Sequence, residues 1–127
     1  MGENDTIDIA GNRKIQSTGI LKIRGVLLVL SENFLGASFV LNKAVSVLGR
    51  DESCDIVIND KLISKKHCKI TLNNEGHYHI EDLDSTNSTY LNSKLLNKPT
   101  LLSYGDRIIA GDTILRFFHE EKFERKE

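Results

Sequence analysis

From Gly19 to Phe118 the chain is broken every few residues. Short runs rich in Val, Ile, Leu and Phe alternate with turn residues, and no amphipathic helical stretch lies between them. Runs of this length and spacing predict strands. They fall at residues 21–30, 38–41, 45–48, 56–58, 68–72, 78–81, 89–91, 107–109 and 114–118. Alternation is clearest in the middle. Cys68, Ile70 and Leu72 point one way while Lys69, Thr71 and Asn73 point the other; Tyr78 and Ile80 then face inward while His77, His79 and Glu81 face outward. Between them Asn73-Asn74-Glu75-Gly76 predicts a hairpin turn with its glycine in the left-handed conformation. Many short strands without helices imply an all-β sandwich or barrel.

At 127 residues the chain suits one domain that buries its core without staples. Residues 1–18 show no hydrophobic period and read as a tail, residues 19–119 as the domain, and residues 120–127 as a charged C-terminal tail. Seventeen Lys and Arg balance eighteen Asp and Glu, for a net charge of -1. That balance argues against non-specific nucleic-acid binding, which draws on a cationic surplus to displace counterions. Cys54 and Cys68 sit in apolar stretches and read as buried free thiols of a reducing compartment, not as a disulfide framework. The start is acidic and polar, and the longest apolar run, residues 26–30, is far too short to cross a bilayer. Met1-Gly2-Glu3-Asn4-Asp5-Thr6 fits a loose myristoylation pattern, but acidic residues fill its middle. The expected location is cytoplasmic, with no membrane partner.

The informative stretch runs from Gly49 to Ser93. An arginine, Arg50, ends a strand directly after Gly49. Ser64 and Lys65 precede the next strong strand, and Ser85, Thr86, Asn87 and Ser88 fill a later loop. Loops gathered at one end would bring together a guanidinium, an ammonium, hydroxyls, an amide and backbone N–H groups. Such a donor set suits a tetrahedral anion.

These blocks resemble the forkhead-associated (FHA) domain, a phosphothreonine-binding β-sandwich. Gly49-Arg50 matches the family's strand-end pair, and Ser64 with His67 matches its serine–x–x–histidine. Ser85-Thr86-Asn87 with Thr89-Tyr90-Leu91-Asn92 matches its Ser-Thr-Asn turn and the following strand, and Gly105-Asp106-Arg107-Ile108 with Gly111 its last hairpin. The resemblance implies a two-sheet sandwich of about eleven short, mainly antiparallel strands with phosphopeptide loops at one end. It implies that Arg50, Ser64 and Lys65 meet the phosphate, that Thr86 shapes the pocket around the threonine methyl, and that Asn87 holds the peptide main chain. Gly49 and His67 would support the loops. It further implies a monomeric, non-enzymatic adaptor with no cofactor and no metal, whose partner is a phosphothreonine protein marked by an upstream Ser/Thr kinase. Two positions depart from the family: Ser88 and Ser93 stand where glycine is usual. If Ser88 needs positive φ, serine costs about 1 kcal/mol there.

Other readings are weaker. Arg50 alone could be a surface ion-pair residue, Ser64 a turn cap and Asn87 a plain turn residue. Ser64, His67 and Asp82 supply the residue types of a hydrolase triad, but no nucleophile-elbow sequence surrounds Ser64. His77 and His79 share a strand face without further ligands at zinc spacing. Phe34, Phe39, Phe117 and Phe118 read as core or loop anchors. Thr6 and Thr18 are candidate modification sites whose segment could enter the chain's own pocket or that of a second copy. The alternative function is a phosphate-independent scaffold domain that binds a folded partner through a sheet face.

Overall fold

A computed structural model describes residues 25–120. The expected tails, apart from Glu120, lie outside the described residues, as do Thr6, Thr18 and positions 19–24. The chain forms eleven strands: β1 Gly25–Val29, β2 Ser38–Leu41, β3 Val45–Gly49, β4 Ile56–Val57, β5 Cys68–Leu72, β6 Tyr78–Asp82, β7 Thr89–Leu91, β8 Lys94–Leu95, β9 Thr100–Leu101, β10 Arg107–Ala110 and β11 Thr113–His119. A short 3-10 helix, Glu32–Phe34, links β1 to β2.

The strands make two sheets, ordered β2-β1-β11-β10-β7-β8 and β4-β3-β5-β6-β9. Every pairing is antiparallel except β3 with β4. The all-β sandwich expectation therefore holds. Sequence alternation did not reveal β8 and β9. Each is two residues long, and Lys94, Leu95 and Leu101 lie exposed, so neither carries an inward-outward pattern.

The core follows from the alternation. Cys68, Ile70 and Leu72 of β5 are buried, as are Tyr78 and Ile80 of β6. They meet Leu27, Leu115 and Phe117 of the other sheet's strands, all at 0% exposure. Tyr78 stacks edge-on against Phe117 with centroids 5.2 Å apart, a favoured aromatic geometry. The phenylalanines divide: Phe117 is fully buried, while Phe34 sits exposed on the 3-10 helix. The 73–76 turn forms as expected. Asn73 Oδ1 accepts the N–H groups of Glu75 and His77, and Gly76 has φ 86.

Both cysteines are free and buried. Burial pushes the Cys68 thiol up to about 12 and raises Cys54 as well. A thiol attacks as its thiolate. Native protein is therefore expected to leave both unmodified by a disulfide reagent at neutral pH, and to expose both on denaturation; rapid labelling of native protein would contradict this.

One row of the second sheet gathers three connecting segments. Leu48 near the end of β3 pairs with Cys68 at the start of β5, which pairs with Asp82 at the end of β6. The segment after β3, the loop before β5 and the loop after β6 must therefore emerge at the same end.

Candidate functional site

Those three segments are tied together mostly through main-chain oxygens. A Cβ on Gly49 would lie 2.0 Å from the carbonyl oxygen of Lys65, so only glycine lets the end of β3 approach that loop. Immediately after it, Arg50 donates its N–H to Ser64 O (3.0 Å) and its side-chain Nε–H to Ile63 O (2.9 Å). The fork is thus anchored at its base, and among the described residues its two terminal nitrogens have no protein partner.

His67, at 0% exposure, sits behind this loop. Its Nδ1 accepts the Ser64 N–H (3.0 Å), so Nε2 carries the hydrogen and donates to Ser88 O (2.8 Å). One ring therefore braces the loop before β5 against the loop after β6. Ser64 Oγ accepts the Thr86 N–H (2.9 Å), which leaves its own hydrogen to donate elsewhere. Asn87 Nδ2 donates to Leu62 O (2.9 Å), leaving Oδ1 and the second N–H without a partner among the described residues. Residues 62, 63 and 64 in succession thus hold Asn87, Arg50 and Thr86. Lys65 and Thr86 are exposed at the same rim. The field of Lys65 contributes, after the Ser53 hydrogen bonds, to holding the Asp51 carboxyl low.

Of the five candidate contact residues, Arg50, Ser64, Thr86 and Asn87 are linked by hydrogen bonds to residues 62–64, and Lys65 follows directly in the chain. Two supporting carboxylates escaped that reading. Asp60, 7% exposed, accepts the N–H of Leu62 (2.9 Å) with one oxygen; its other accepts the N–H of Asp112 (2.8 Å) and the Thr113 hydroxyl (2.7 Å). It pins the 60–63 segment to the β10–β11 turn. There Gly111 has φ 59, and a Cβ would fall 2.9 Å from Ile63 Cγ1. Asp82 organises the other loop. It accepts Ser85 N–H (3.1 Å), Ser85 Oγ–H (2.5 Å) and Thr89 Oγ1–H (2.6 Å). In sequence both look like ordinary acidic loop residues; a carboxylate followed by Ser at the third position was the only available signal.

Burial alone would raise the Asp82 carboxyl, but the Ser85 and Thr89 hydrogen bonds outweigh it and hold it below the usual range. A carboxyl lowered on folding stabilises above its unfolded value, about 4, and that contribution disappears as pH falls through the folded value. Asp82→Asn is therefore expected to flatten the loss of stability below about pH 4, measured by urea unfolding at several acid pH values. An unchanged pH dependence would remove Asp82 from this role.

The same bonds dispose of the triad. Asp82 binds Ser85 and Thr89, and both ring nitrogens of His67 are taken by main-chain groups. His77 Nδ1 faces Glu75 Oε1 at 3.7 Å, and among the described residues no group of three His, Cys, Asp or Glu could hold a metal. No helix among the described residues is long and apolar enough to cross a membrane. The family departures are resolved: Ser88 has φ 67 and Ser93 φ 71. Ser93 joins Asn92 (φ 51) in a two-residue β7–β8 turn with both central residues left-handed.

A family model described as the FHA domain matches residues 46–111. The chain belongs to the FHA family. This FHA domain is 34% identical over 82 residues to the oxoglutarate dehydrogenase inhibitor of Corynebacterium efficiens, covering 65% of the chain and 56% of that protein. It is 34% identical over 85 residues to the human proliferation marker protein Ki-67, covering 67% of the chain and 3% of that protein. The chain thus spans from a few per cent to about half of these curated relatives. Among solved structures, the FHA domain of the CT664 protein from Chlamydia trachomatis superposes with TM-score 0.70 at 32% identity, covering 75% and 96% of the two chains. The N-terminal FHA domain of S. cerevisiae Rad53p, solved with a phosphothreonine peptide, gives TM-score 0.65 at 27% identity, covering 74% and 91%.

Proposed function

We propose that this FHA domain is a non-catalytic module that binds phosphothreonine-containing segments of a partner protein. The observation that carries this is the pre-set cluster at residues 62–64. Arg50 is anchored through Nε with its terminal nitrogens available, and Ser64 is oriented by Thr86 so that its hydroxyl can donate. Arg50, Ser64 and Lys65 would take the phosphate oxygens, Thr86 would flank the threonine methyl, and Asn87 would hold the peptide backbone with its remaining amide groups. A phosphothreonine brings about -1.5 to -2 charges and three acceptor oxygens. Two or three charge-assisted bonds would separate phosphorylated from bare peptide by about 3–6 kcal/mol. A Ser/Thr kinase must then supply the mark. The module acts as a monomer in the cytoplasm, without cofactor, metal or nucleic acid.

The test is an oriented library presenting phosphothreonine, phosphoserine and bare threonine. Enrichment confined to phosphothreonine peptides supports the reading; equal retention of bare threonine peptides overturns it.

A further inference from the structure

The outer face of the six-stranded sheet carries a second arginine arrangement. Burial alternates along β10 and β11, so Ile108, Leu115 and Phe117 face the core while Arg107, Ile109, Ile114 and Arg116 face away. Arg107 and Arg116 stand directly opposite each other on these antiparallel strands. Like charges so placed destabilise a strand pair unless an anion joins them. No carboxylate forms a salt bridge with either among the described residues. The adjacent Asp106 has both oxygens engaged, by Asn92 Nδ2 (2.9 Å) and by Ser103 N–H (2.7 Å).

Two further features show a built hollow. Arg116 Nε donates to Gly105 O at 2.9 Å, the same anchoring that Arg50 makes to Ile63 O. Its terminal nitrogens are thereby presented in a fixed direction. Arg107 is steadied from its backbone, where its N–H donates to Asn92 Oδ1 (2.9 Å). Between them lies a cavity of about 390 Å³ lined by Leu30, Asn92, Gly105, Arg107, Ile114 and Arg116. Two guanidinium groups beside an apolar floor fit an anionic side chain flanked by aliphatic residues on an extended segment.

We infer that Arg107 and Arg116 form a second anion-binding site, which takes an acidic or phosphorylated side chain of a peptide segment on the face of the six-stranded sheet. The site is separate from the Arg50 cluster and does not depend on it. The experiment uses the full chain carrying Arg50→Ala, so that the first cluster is silent, and nitrogen–proton correlation spectra. Three probes are added in turn: acetyl-Ile-pThr-Ile-amide, acetyl-Ile-Glu-Ile-amide and the neutral acetyl-Ile-Gln-Ile-amide. At least one anionic peptide is expected to move the amide signals of Leu30, Asn92, Gly105 and Ile114, the neutral one not. Whichever anionic probe moves them identifies phosphate or carboxylate as the preferred group. Combining Arg107→Gln with Arg116→Gln is expected to weaken that binding at least about tenfold. If the double variant does not fold, each single substitution is expected to weaken it several-fold. Silence of these amides with both anionic probes, equal response to the neutral one, or undiminished binding by the variants would overturn the site.

Discussion

Arg50→Ala is expected to reduce affinity for a phosphothreonine peptide by at least about 100-fold, the loss of roughly two charge-assisted bonds. The fold should survive. Arg50 is exposed, and among the described residues its side chain makes a single hydrogen bond, to Ile63 O. Losing that bond costs about 1–3 kcal/mol, less than the roughly 5–15 kcal/mol that holds a typical domain folded. Arg50→Lys should recover little. A lysine has no Nε–H to anchor on Ile63 while two further nitrogens reach outward. Calorimetric titration of wild type and both variants with one peptide, alongside urea unfolding, separates binding from stability. A folded Arg50→Ala protein with undiminished affinity would end the assignment of the site.

The second large effect concerns stability. Gly49→Ala would place a methyl carbon 2.0 Å from Lys65 O, 2.7 Å from Lys65 C and 2.8 Å from Cys54 Sγ. The first two are backbone atoms and cannot swing aside as a flexible side chain would. Relief requires β3 and the 64–66 loop to separate. That breaks the Arg50 N–H to Ser64 O and Asp51 N–H to Lys65 O bonds. A destabilisation of about 3 kcal/mol or more is expected, read as a lowered urea midpoint. Peptide affinity should also fall where the variant remains folded, because Arg50 and Ser64 lose their shared frame. An unchanged midpoint would mean the loop yields at little cost.

The strands that could be seen in the sequence were those with one buried and one solvated face. β5 and β6 announce themselves because each residue's polarity states its side of the sheet. β8 and β9 carry no such statement. The candidate contact residues could be named because Gly49-Arg50, Ser64 and Ser85-Thr86-Asn87 form ordered blocks that resemble a known family. Their supports were not. Asp60 acts on Asp112 and Thr113, some fifty positions away, and nothing local marks it as buried. Gly49 is needed because of a carbonyl sixteen positions downstream, whereas the usual signal for glycine is a turn. Ser88 and Ser93 show the reverse case. Their departure from glycine was plain in the sequence, and the structure gives both a positive φ, so a serine bears left-handed strain in each of the two turns.

Leu62 and Ile63 hold Asn87 and Arg50 through carbonyl oxygens, and the Leu62 side chain is 45% exposed. The grip on the ligand-facing groups is therefore independent of what residue 62 carries on its Cβ. A replacement at Leu62 would leave both hydrogen bonds in place, so varying it tests whether this rim reads the neighbours of a bound phosphothreonine without disturbing the groups behind it.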